Sequence, residues 1–356
     1  MSRFLSRALA GLKPYVPGEQ PQDKKYIKLN TNESPYPPAK GVAEATYGQA
    51  EKLNLYSDPD CLLIKRAAAA VCGLGTGNVS VGNGSDEVLA HIFRAFLQDT
   101  GVAFPDVTYG FYPVLCSLLG IKYKTVPLRG DFSIDISDYE GIDSAVCIAN
   151  PNAQTGVYLA PEKVEELVLQ NRGRLVIVDE AYIDFGGSSA VPLVKKYDNL
   201  IVVQTMSKSR SLAGARVGFA FADKQLISDI EAVRCSFNPY NVNRMSMYAA
   251  AMSLEQDEYF RSCVDKIVFA REYTATKLGK MGFEVLPSRA NFLLARHGGV
   301  GGEELYKKLK ERGILVRHFC DERIKDFVRV SVGTRAQMDE FLNAVQKILE
   351  ESDAEG

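Results

Sequence analysis

Histidine is scarce in this chain of 356 residues, which contains only His91, His297 and His318. The three lie far apart in the sequence, and none is next to a cysteine. A zinc site needs several closely placed ligands, and a Ser-His-Asp triad needs a histidine within reach of a nucleophile. Both are hard to build from this set, and the sequence therefore predicts no metal site.

Paired cysteines, long apolar runs and excess positive charge are lacking as well. The seven cysteines stand alone, with no CxxC pair and an odd total, which is typical of reduced thiols in the cytoplasm. The longest apolar runs, such as LVIVD and LIVVQ, are far too short to span a bilayer. The net charge is −2 with no basic face, so we expect neither a membrane nor a nucleic acid as partner.

Short apolar strands alternate with helical patterns from about residue 60 onward. The predicted strands are VAFP, YKTVPL, SAVCIAN, LVIVDEAY, LIVVQTM and GFAFA. Several are apolar throughout, which indicates a sheet covered by helices on both faces. Near the C-terminus, FEVL, ANFLLAR, ILVRHF and FVRVSVG read as strands of a smaller α+β unit. The predicted fold class is α/β, a large domain with a second, smaller one.

The stretch VGNGSDEVL predicts a turn followed by the first residues of a helix. Ser85 and Asp86 are expected at the cap and first-turn positions, where free backbone N–H groups attract an anion such as phosphate. Taken alone, GSDE is as well explained by an ordinary helix cap.

The stretch LVIVDEAYIDF places Asp179 and Glu180 at the carboxyl end of a predicted buried strand, the edge where α/β sheets bind ligands. A buried carboxylate needs a cationic partner or several donors. A metal ion is a poor candidate without further ligands, whereas a protonated heterocyclic nitrogen is a suitable partner. Tyr182 follows closely and adds a phenol that can donate to an oxygen of the same ligand.

The stretch TMSKSRSLAGARVGF follows the next strand and contains Ser207, Lys208 and Arg216. A lone lysine after a strand is most often simply solvated. With the strand-end Asp179 and the predicted phosphate cradle, however, the set matches what pyridoxal phosphate requires. Lys208 would bond to the coenzyme aldehyde, Asp179 would keep the pyridine nitrogen protonated, and Arg216 with Ser207 would hold the phosphate. Tyr109, in DVTYGFY, would cover the ring.

The sequence resembles the fold-type-I pyridoxal-phosphate-dependent aminotransferases almost from end to end. The matching segments are PYVPG, KLNTNESPYPP, YSDP, GNGSDE, TYGFY, NPNAQTG, VDEAYIDF, TMSKSRSLAGARVGF, PYNVN, ANFLLAR, ILVRHF and VRVSVGTR. Within the family the resemblance is greatest to the enzymes that act on histidinol phosphate. It implies a mostly parallel seven-stranded sheet, pyridoxal 5′-phosphate as cofactor, and a homodimer with shared active sites.

The resemblance also implies a role for each matching residue. Lys208 is the covalent attachment point, Asp179 contacts the pyridine nitrogen, Tyr182 contacts the ring hydroxyl, and Tyr109 stacks on the ring. The phosphate is assigned to Ser85, Asp86, Thr205, Ser207 and Arg216, with Tyr56 reaching it from the partner subunit.

One segment departs from the family pattern. The usual NNPTG is NAQTG here, with Ala153 and Gln154 in place of Asn and Pro. The amide that contacts the ring hydroxyl therefore cannot come from position 153, and we expect Asn152 to supply it in preference to Gln154.

Substrate binding is expected from the C-terminal part and the N-terminal arm. Arg329 matches the arginine that most aminotransferases use for a substrate carboxylate, and Arg317 is a second candidate. Two guanidinium groups can hold both a phosphate monoester and a carboxylate, so they suit histidinol phosphate as well as glutamate or 2-oxoglutarate. Tyr15, Asn32 and Glu33 are expected in the same pocket. For Arg317 a surface ion pair with Asp321 or Glu322 is an equally open alternative.

The resemblance divides the chain into four segments. Residues 1–40 form an arm that contributes to the small domain and to dimer contacts, and 41–243 form the large cofactor-binding domain. One long interdomain helix is predicted over 244–281, and 282–356 form the small domain.

Three other functions compete with this one. A phosphothreonine decarboxylase-like lyase would also bind an amino-acid phosphate, and an aromatic amino acid aminotransferase would prefer unphosphorylated substrates. A non-catalytic protein that retained the fold would need none of Lys208, Asp179, Tyr182 and Arg216, and the presence of all four argues against it.

Overall fold

The computed structural model describes residues 2–355, which form ten α-helices and thirteen strands. The helices are α1 Lys40–Ala50, α2 Leu62–Cys72, α3 Ser85–Phe96, α4 Phe111–Leu119, α5 Pro161–Gln170, α6 Lys224–Phe237, α7 Arg244–Glu255, α8 Asp257–Lys280, α9 Gly302–Glu311 and α10 Arg335–Glu355. The strands are β1 Ile27–Lys28, β2 Val79–Gly82, β3 Val102–Pro105, β4 Tyr123–Val126, β5 Ala145–Ala149, β6 Val176–Asp179, β7 Leu200–Thr205, β8 Gly218–Ala222, β9 Phe283–Val285, β10 Phe292–His297, β11 Ile314–Leu315, β12 Arg317–His318 and β13 Val328–Ser331.

The central sheet has seven strands in the order β2-β8-β7-β6-β5-β3-β4. The pairs from β7 through β4 are parallel, and β8 runs antiparallel to both of its neighbours. The predicted α/β class with a mostly parallel sheet is therefore confirmed. Because β5, β6 and β7 are parallel, their carboxyl ends lie together at one edge.

Both faces of this sheet are buried, as the continuous apolar strands predict. Val146 and Ile148 of β5 pack into one apolar core, and Cys147 and Ala149 pack into another on the opposite face. The same alternation holds along β6, β7 and β8. Side chains at even and odd positions of one strand therefore meet different helices.

A four-stranded antiparallel sheet, in the order β12-β13-β10-β9, occupies the C-terminal part of the chain. Close to it in sequence, β11 pairs in parallel with β1, Ile27 opposite Ile314. The N-terminal segment is also fixed by the bond from the Ser331 backbone N–H to the Leu29 carbonyl, at 2.9 Å. The residues just after β1 are thereby brought next to β13.

The segment predicted as one long helix over 244–281 is two helices, α7 and α8, which corrects that expectation. Gln256, at φ −92° and ψ 54°, separates them with a non-helical backbone. Asp257 and Glu258 then occupy the first turn of α8, where acidic side chains favour the start of a new helix. Among residues 2–355, no helix has the length and apolar composition needed to cross a membrane.

Candidate active site

A cavity lies at the carboxyl edge of the central sheet, between it, the N-terminal segment and the C-terminal sheet. The predicted site residues that line it are Tyr15, Asn32, Ser85, Asp86, Tyr109, Asp179, Tyr182, Thr205, Ser207, Lys208, Arg216, Arg317 and Arg329. Residues from distant parts of the sequence therefore converge at the edge where parallel strands end.

Lys208 follows β7, and its ammonium group reaches across the cavity edge to the N-terminal segment. Its Nζ donates to the Thr31 carbonyl oxygen at 3.3 Å and lies 5.7 Å from the centre of the Tyr182 ring. Among the described residues it forms no ion pair with a carboxylate. A weakly held amine at a cavity wall is well placed to react with a bound ligand.

Asp179 is buried at the end of β6 and pairs with no cation within residues 2–355. Its Oδ2 accepts a hydrogen bond from the Tyr112 hydroxyl at 2.9 Å, and its Oδ1 accepts one from the Ala181 backbone N–H at 3.2 Å. Burial raises the pKa of Asp179 to about 6, although both hydrogen bonds act in the opposite direction. Tyr112 was not predicted, since its contact with position 179 spans 67 residues of sequence.

Arg216 and the start of α3 form an anion-binding corner. The helix cap is Gly84, not Ser85 as expected, because the φ of +86° at this position suits glycine. A Cβ on Gly84 would lie 2.4 Å from Nη2 of Arg216, and one on Gly218 would lie 2.4 Å from the Ser85 nitrogen. Gly84 thus leaves room for the guanidinium, and Gly218 lets β8 lie against the first residues of α3.

The Asp86 carboxylate holds two neighbouring side chains of this anion-binding corner, Tyr109 and Arg216, in place. It accepts hydrogen bonds from the Tyr109 hydroxyl at 2.9 Å and from Nη2 of Arg216 at 3.2 Å. Arg216 also donates to the Ser207 hydroxyl at 3.3 Å, to which the Thr205 hydroxyl donates at 3.0 Å. A carboxylate would repel a phosphate, so Asp86 can bind one only through its backbone N–H.

Tyr182 is connected to both the arm and the C-terminal sheet. The side-chain Nδ2 of Asn32 donates to the Tyr182 hydroxyl at 3.1 Å. The side-chain Oδ1 of Asn32 accepts from the Ser331 hydroxyl at 2.7 Å. Since the phenol oxygen accepts the bond from Asn32, its own proton remains available to a ligand. Ser331 was not predicted, because nothing in VRVSVG distinguishes it from an ordinary strand serine.

Asn152 and Glu33, which were predicted in the site of their own chain, lie outside the cavity lining. Asn152 directs its amide to the Val107 carbonyl at 2.8 Å and accepts from the backbone N–H groups of Gln154 and Thr155. It therefore holds the loop after β5, and Ala153 and Gln154 line the cavity in its place. Glu33 pairs with Lys28 at 2.7 Å.

Arg317 and Arg329 lie at the other end of the cavity. Arg317 donates to the backbone carbonyls of Val16 and Pro17, at 2.9 and 3.0 Å, and makes no ion pair with Asp321 or Glu322. The surface ion pair considered for Arg317 is therefore wrong. Burial lowers the pKa of Arg329, which has no acidic partner within the described chain.

Tyr56 does not line the cavity of its own chain. It is 78% exposed, and its ring stacks on Tyr240 with centres 4.4 Å apart. Apart from this stacking, the Tyr56 side chain is left open by residues 2–355 of its own chain.

The family model of the class I and II aminotransferases matches residues 24–345 of this chain. The chain belongs to that family, whose enzymes depend on pyridoxal phosphate, and within it to the histidinol-phosphate aminotransferases. The resemblance inferred from the motifs is thereby confirmed.

Two relatives support this placement, and one solved structure supports the fold. The histidinol-phosphate aminotransferase of Brachyspira hyodysenteriae is 46% identical over 98% of this chain and 99% of its own length. Histidinol-phosphate aminotransferase 1 of Bradyrhizobium diazoefficiens is 48% identical over 98% of this chain and 100% of its own. The crystal structure of the Sinorhizobium meliloti histidinol-phosphate aminotransferase with pyridoxal-5′-phosphate covers 92% of each chain at a TM-score of 0.86 and 24% identity, which supports the fold.

Proposed function

We propose that this chain transfers an amino group between L-histidinol phosphate and 2-oxoglutarate, giving imidazole acetol phosphate and glutamate, in histidine biosynthesis. The observation that carries the proposal is that Lys208 lines the same cavity as two arginines, Arg317 and Arg329. Neither guanidinium group has an acidic partner in the described chain. The level of identity to enzymes named for histidinol phosphate favours this substrate over phosphothreonine or aromatic amino acids.

The residues present fit pyridoxal phosphate. Asp179 is a buried acid that lacks a cation, and a pyridine nitrogen that carries a proton would supply one. Gly84 lets Arg216 lie close to the start of α3, and the guanidinium together with the N-terminus of that helix is a suitable place for a phosphate. Tyr109 would cover the ring and Tyr182 would donate to its hydroxyl.

The bound cofactor supplies an electrophilic carbon for the donor amine and an electron sink for the carbanion that deprotonation leaves. In our proposal Lys208 Nζ accepts the proton from the amino-bearing carbon of the donor and later returns it. Asp179 would supply the negative charge that stabilises a protonated ring nitrogen. Tyr182 would orient the ring through its phenol, which is held by the hydrogen bond from the Asn32 amide.

The partner of this chain is, in our proposal, a second copy of itself. Leu53, Leu55, Tyr56 and Phe237 are all more than half exposed, and Tyr240 stacks on Tyr56. Exposed apolar side chains concentrated in this way favour a protein–protein contact. In a homodimer the hydroxyl of Tyr56 would reach the phosphate corner of the partner's site. We further propose a cytoplasmic location, for which the seven free cysteines are the support.

The proposed reaction is tested by half-reactions on the purified holoenzyme. L-histidinol phosphate is expected to change the visible absorbance of the cofactor, and 2-oxoglutarate is expected to restore it. Phenylalanine, tyrosine and phosphothreonine serve as competing donors in the same assay. Carbon dioxide release from phosphothreonine, or no response to histidinol phosphate, would contradict the proposal.

Removing the Tyr112 hydroxyl is expected to change the pH dependence of cofactor binding. The bond to Asp179 lowers the pKa of a carboxyl that burial has raised to about 6. In Tyr112→Phe that pKa rises by about one unit, since one hydrogen bond to a charged group is lost. Pyridoxal phosphate titrations of the cofactor-free chain should therefore show binding that weakens below about pH 6 in the wild type and below about pH 7 in the variant.

Tyr139→Phe is the matched control for this titration. Tyr139 is also a buried tyrosine, but its hydroxyl has no hydrogen-bond partner among the described residues. Its loss should leave the midpoint unchanged. Equal midpoints for Tyr112→Phe and the wild type would show that Tyr112 does not tune Asp179.

A further inference from the structure

Gln154 lies beside Arg329 at the wall of the cavity, in the loop that follows β5. Its backbone N–H donates to Oδ1 of Asn152 at 2.9 Å, and the N–H of Thr155 donates to the same oxygen at 3.1 Å. These two bonds fix the loop backbone, as is usual where an Asn side chain caps a turn. The Gln154 side chain lines the cavity, with Oε1 at 3.3 Å from Nη1 of Arg329.

The orientation of the Gln154 amide follows from the chemistry of its neighbour. A guanidinium group has only donors, so the amide oxygen must face Arg329 and the NH₂ group must face away from it. Within residues 2–355 this NH₂ group has no hydrogen-bond acceptor. It is therefore a neutral donor left available at the cavity wall.

Arg329 keeps part of its guanidinium for a ligand. Nη1 is used by the Ala153 carbonyl at 2.9 Å and by Gln154. Nε is shielded from solvent and has no partner in the described chain, which is costly unless a ligand supplies an acceptor. Phe292 and Phe319 lie 5.0 and 5.2 Å from the guanidinium carbon and contribute no acceptor side chain. Nε and Nη2 thus remain for an anion.

From this geometry we propose that Gln154 is a specificity-determining residue that favours a phosphate monoester over a carboxylate at Arg329. The inference deepens the proposed function and rests on it for the identity of the natural substrate. A carboxylate has two oxygens, and a bidentate contact with Nε and Nη2 uses both. A phosphate monoester has a third terminal oxygen, which accepts from the Gln154 amide. Because the amide is neutral, it adds this contact and leaves the positive charge of Arg329 uncompensated. A glutamate at this position would instead neutralise that charge.

The test compares two anions on the holoenzyme by calorimetry, with inorganic phosphate as the phosphate probe and succinate as the carboxylate probe. In Gln154→Ala the Kd for phosphate is expected to rise about tenfold, the usual effect of losing one hydrogen bond to a charged group. The Kd for succinate is expected to change by less than about twofold, since no bond to it is lost. In Gln154→Glu both probes should bind more than about tenfold more weakly, because the new carboxylate competes for Arg329.

Gln346→Ala is the matched control. Gln346 is an exposed glutamine on α10 that donates to Glu350 at 3.0 Å, and its replacement should alter neither Kd. An equal loss of both probes in Gln154→Ala would overturn the proposal, and so would no loss of either. If the wild type fails to convert histidinol phosphate while Gln154→Ala selectively loses phosphate, the assigned substrate is wrong and the role of Gln154 stands.

Discussion

Replacement of Lys208 by alanine is expected to lower kcat for the amino transfer by about 10⁴-fold or more. Lys208 is the one lysine among the described residues that line the cavity, so no other amine there can replace it. Its loss removes both the covalent attachment point and the base that carries the proton. Its Nζ makes one hydrogen bond, to the Thr31 carbonyl, so the change should cost little stability.

Lys208→Arg separates the charge of this residue from its chemistry. Arginine keeps the cation but stays protonated in proteins, so it can neither accept the proton nor bond to an aldehyde carbon. We expect a loss of kcat similar to that of the alanine variant. Steady-state kinetics gives the comparison, and borohydride reduction followed by peptide mass spectrometry locates the attached cofactor. More than about a tenth of wild-type activity in Lys208→Arg would contradict the proposed role.

Lys28→Ala provides the control for a lysine outside the cavity lining. Lys28 pairs with Glu33 in the later part of the arm and is not part of the cavity wall. Its replacement tests whether any loss of a cation near this face lowers activity. We expect kcat to stay within about threefold of the wild type, since exposed or half-exposed ion pairs contribute little.

The sequence was sufficient to place the central residues because the fold rule involved is simple. Asp179 ends β6, Thr205 ends β7, and both strands are parallel neighbours in the same sheet. Any residues that follow such strands meet at one edge, whatever their separation in sequence. The position of Lys208 near Asp179 and Tyr182 is a consequence of that rule.

The sequence predicted Asp179 rather than its neighbour Glu180 at the cofactor, and strand alternation alone does not dictate that choice. Asp179 follows Ile177 on the face that packs against Tyr112, whereas Glu180 points to the other face. There Glu180 accepts from Ser189, from the Ala190 backbone N–H and from Gln204. Alternation along a strand places Asp179 and Glu180 on opposite faces of the sheet. Which of them lies at the cavity depends on which helix covers which face.

Contacts that involve loop conformation were the least predictable. Asn152 was expected at the cofactor, yet its amide is used to hold its own loop. Arg317 was expected to meet either a substrate or an acid nearby in sequence, and it also holds the arm through Val16 and Pro17. In each case the partner is a backbone group, and backbone groups carry no residue-specific signal in a sequence.

Asp179→Asn is expected to lower kcat by about 10³-fold and, in the cofactor-free chain, to raise stability at neutral pH. The first effect follows if the carboxylate is the partner of a protonated ring nitrogen, because a neutral amide cannot stabilise that charge. The second follows from burial, which raises the pKa of Asp179 to about 6 from an ordinary value of 3.8. The folded cofactor-free chain therefore binds more protons here than the unfolded chain does.

The sign of the pH effect is set by that difference. Where the folded state holds the extra proton, the free energy of unfolding falls as pH rises, here between about pH 4 and pH 6. A shift of about two units corresponds to roughly 3 kcal/mol, all of it lost above pH 6. Asparagine has no such titration, so the variant should gain in Tm over the wild type across this window and keep the gain at pH 7.5.

Glu180→Gln makes the distinction between the two acids measurable. Burial also raises the pKa of Glu180, to about 7, so this variant should likewise gain stability in the cofactor-free chain as the pH rises. Because Glu180 lies on the opposite face of the sheet from Asp179, the kcat of Glu180→Gln should remain within about threefold of the wild-type value. Thermal unfolding between pH 4 and pH 8, combined with kcat for both variants, tests the pair. A comparable loss of activity in Glu180→Gln, or full activity in Asp179→Asn, would remove the carboxylate at 179 from the catalytic assignment.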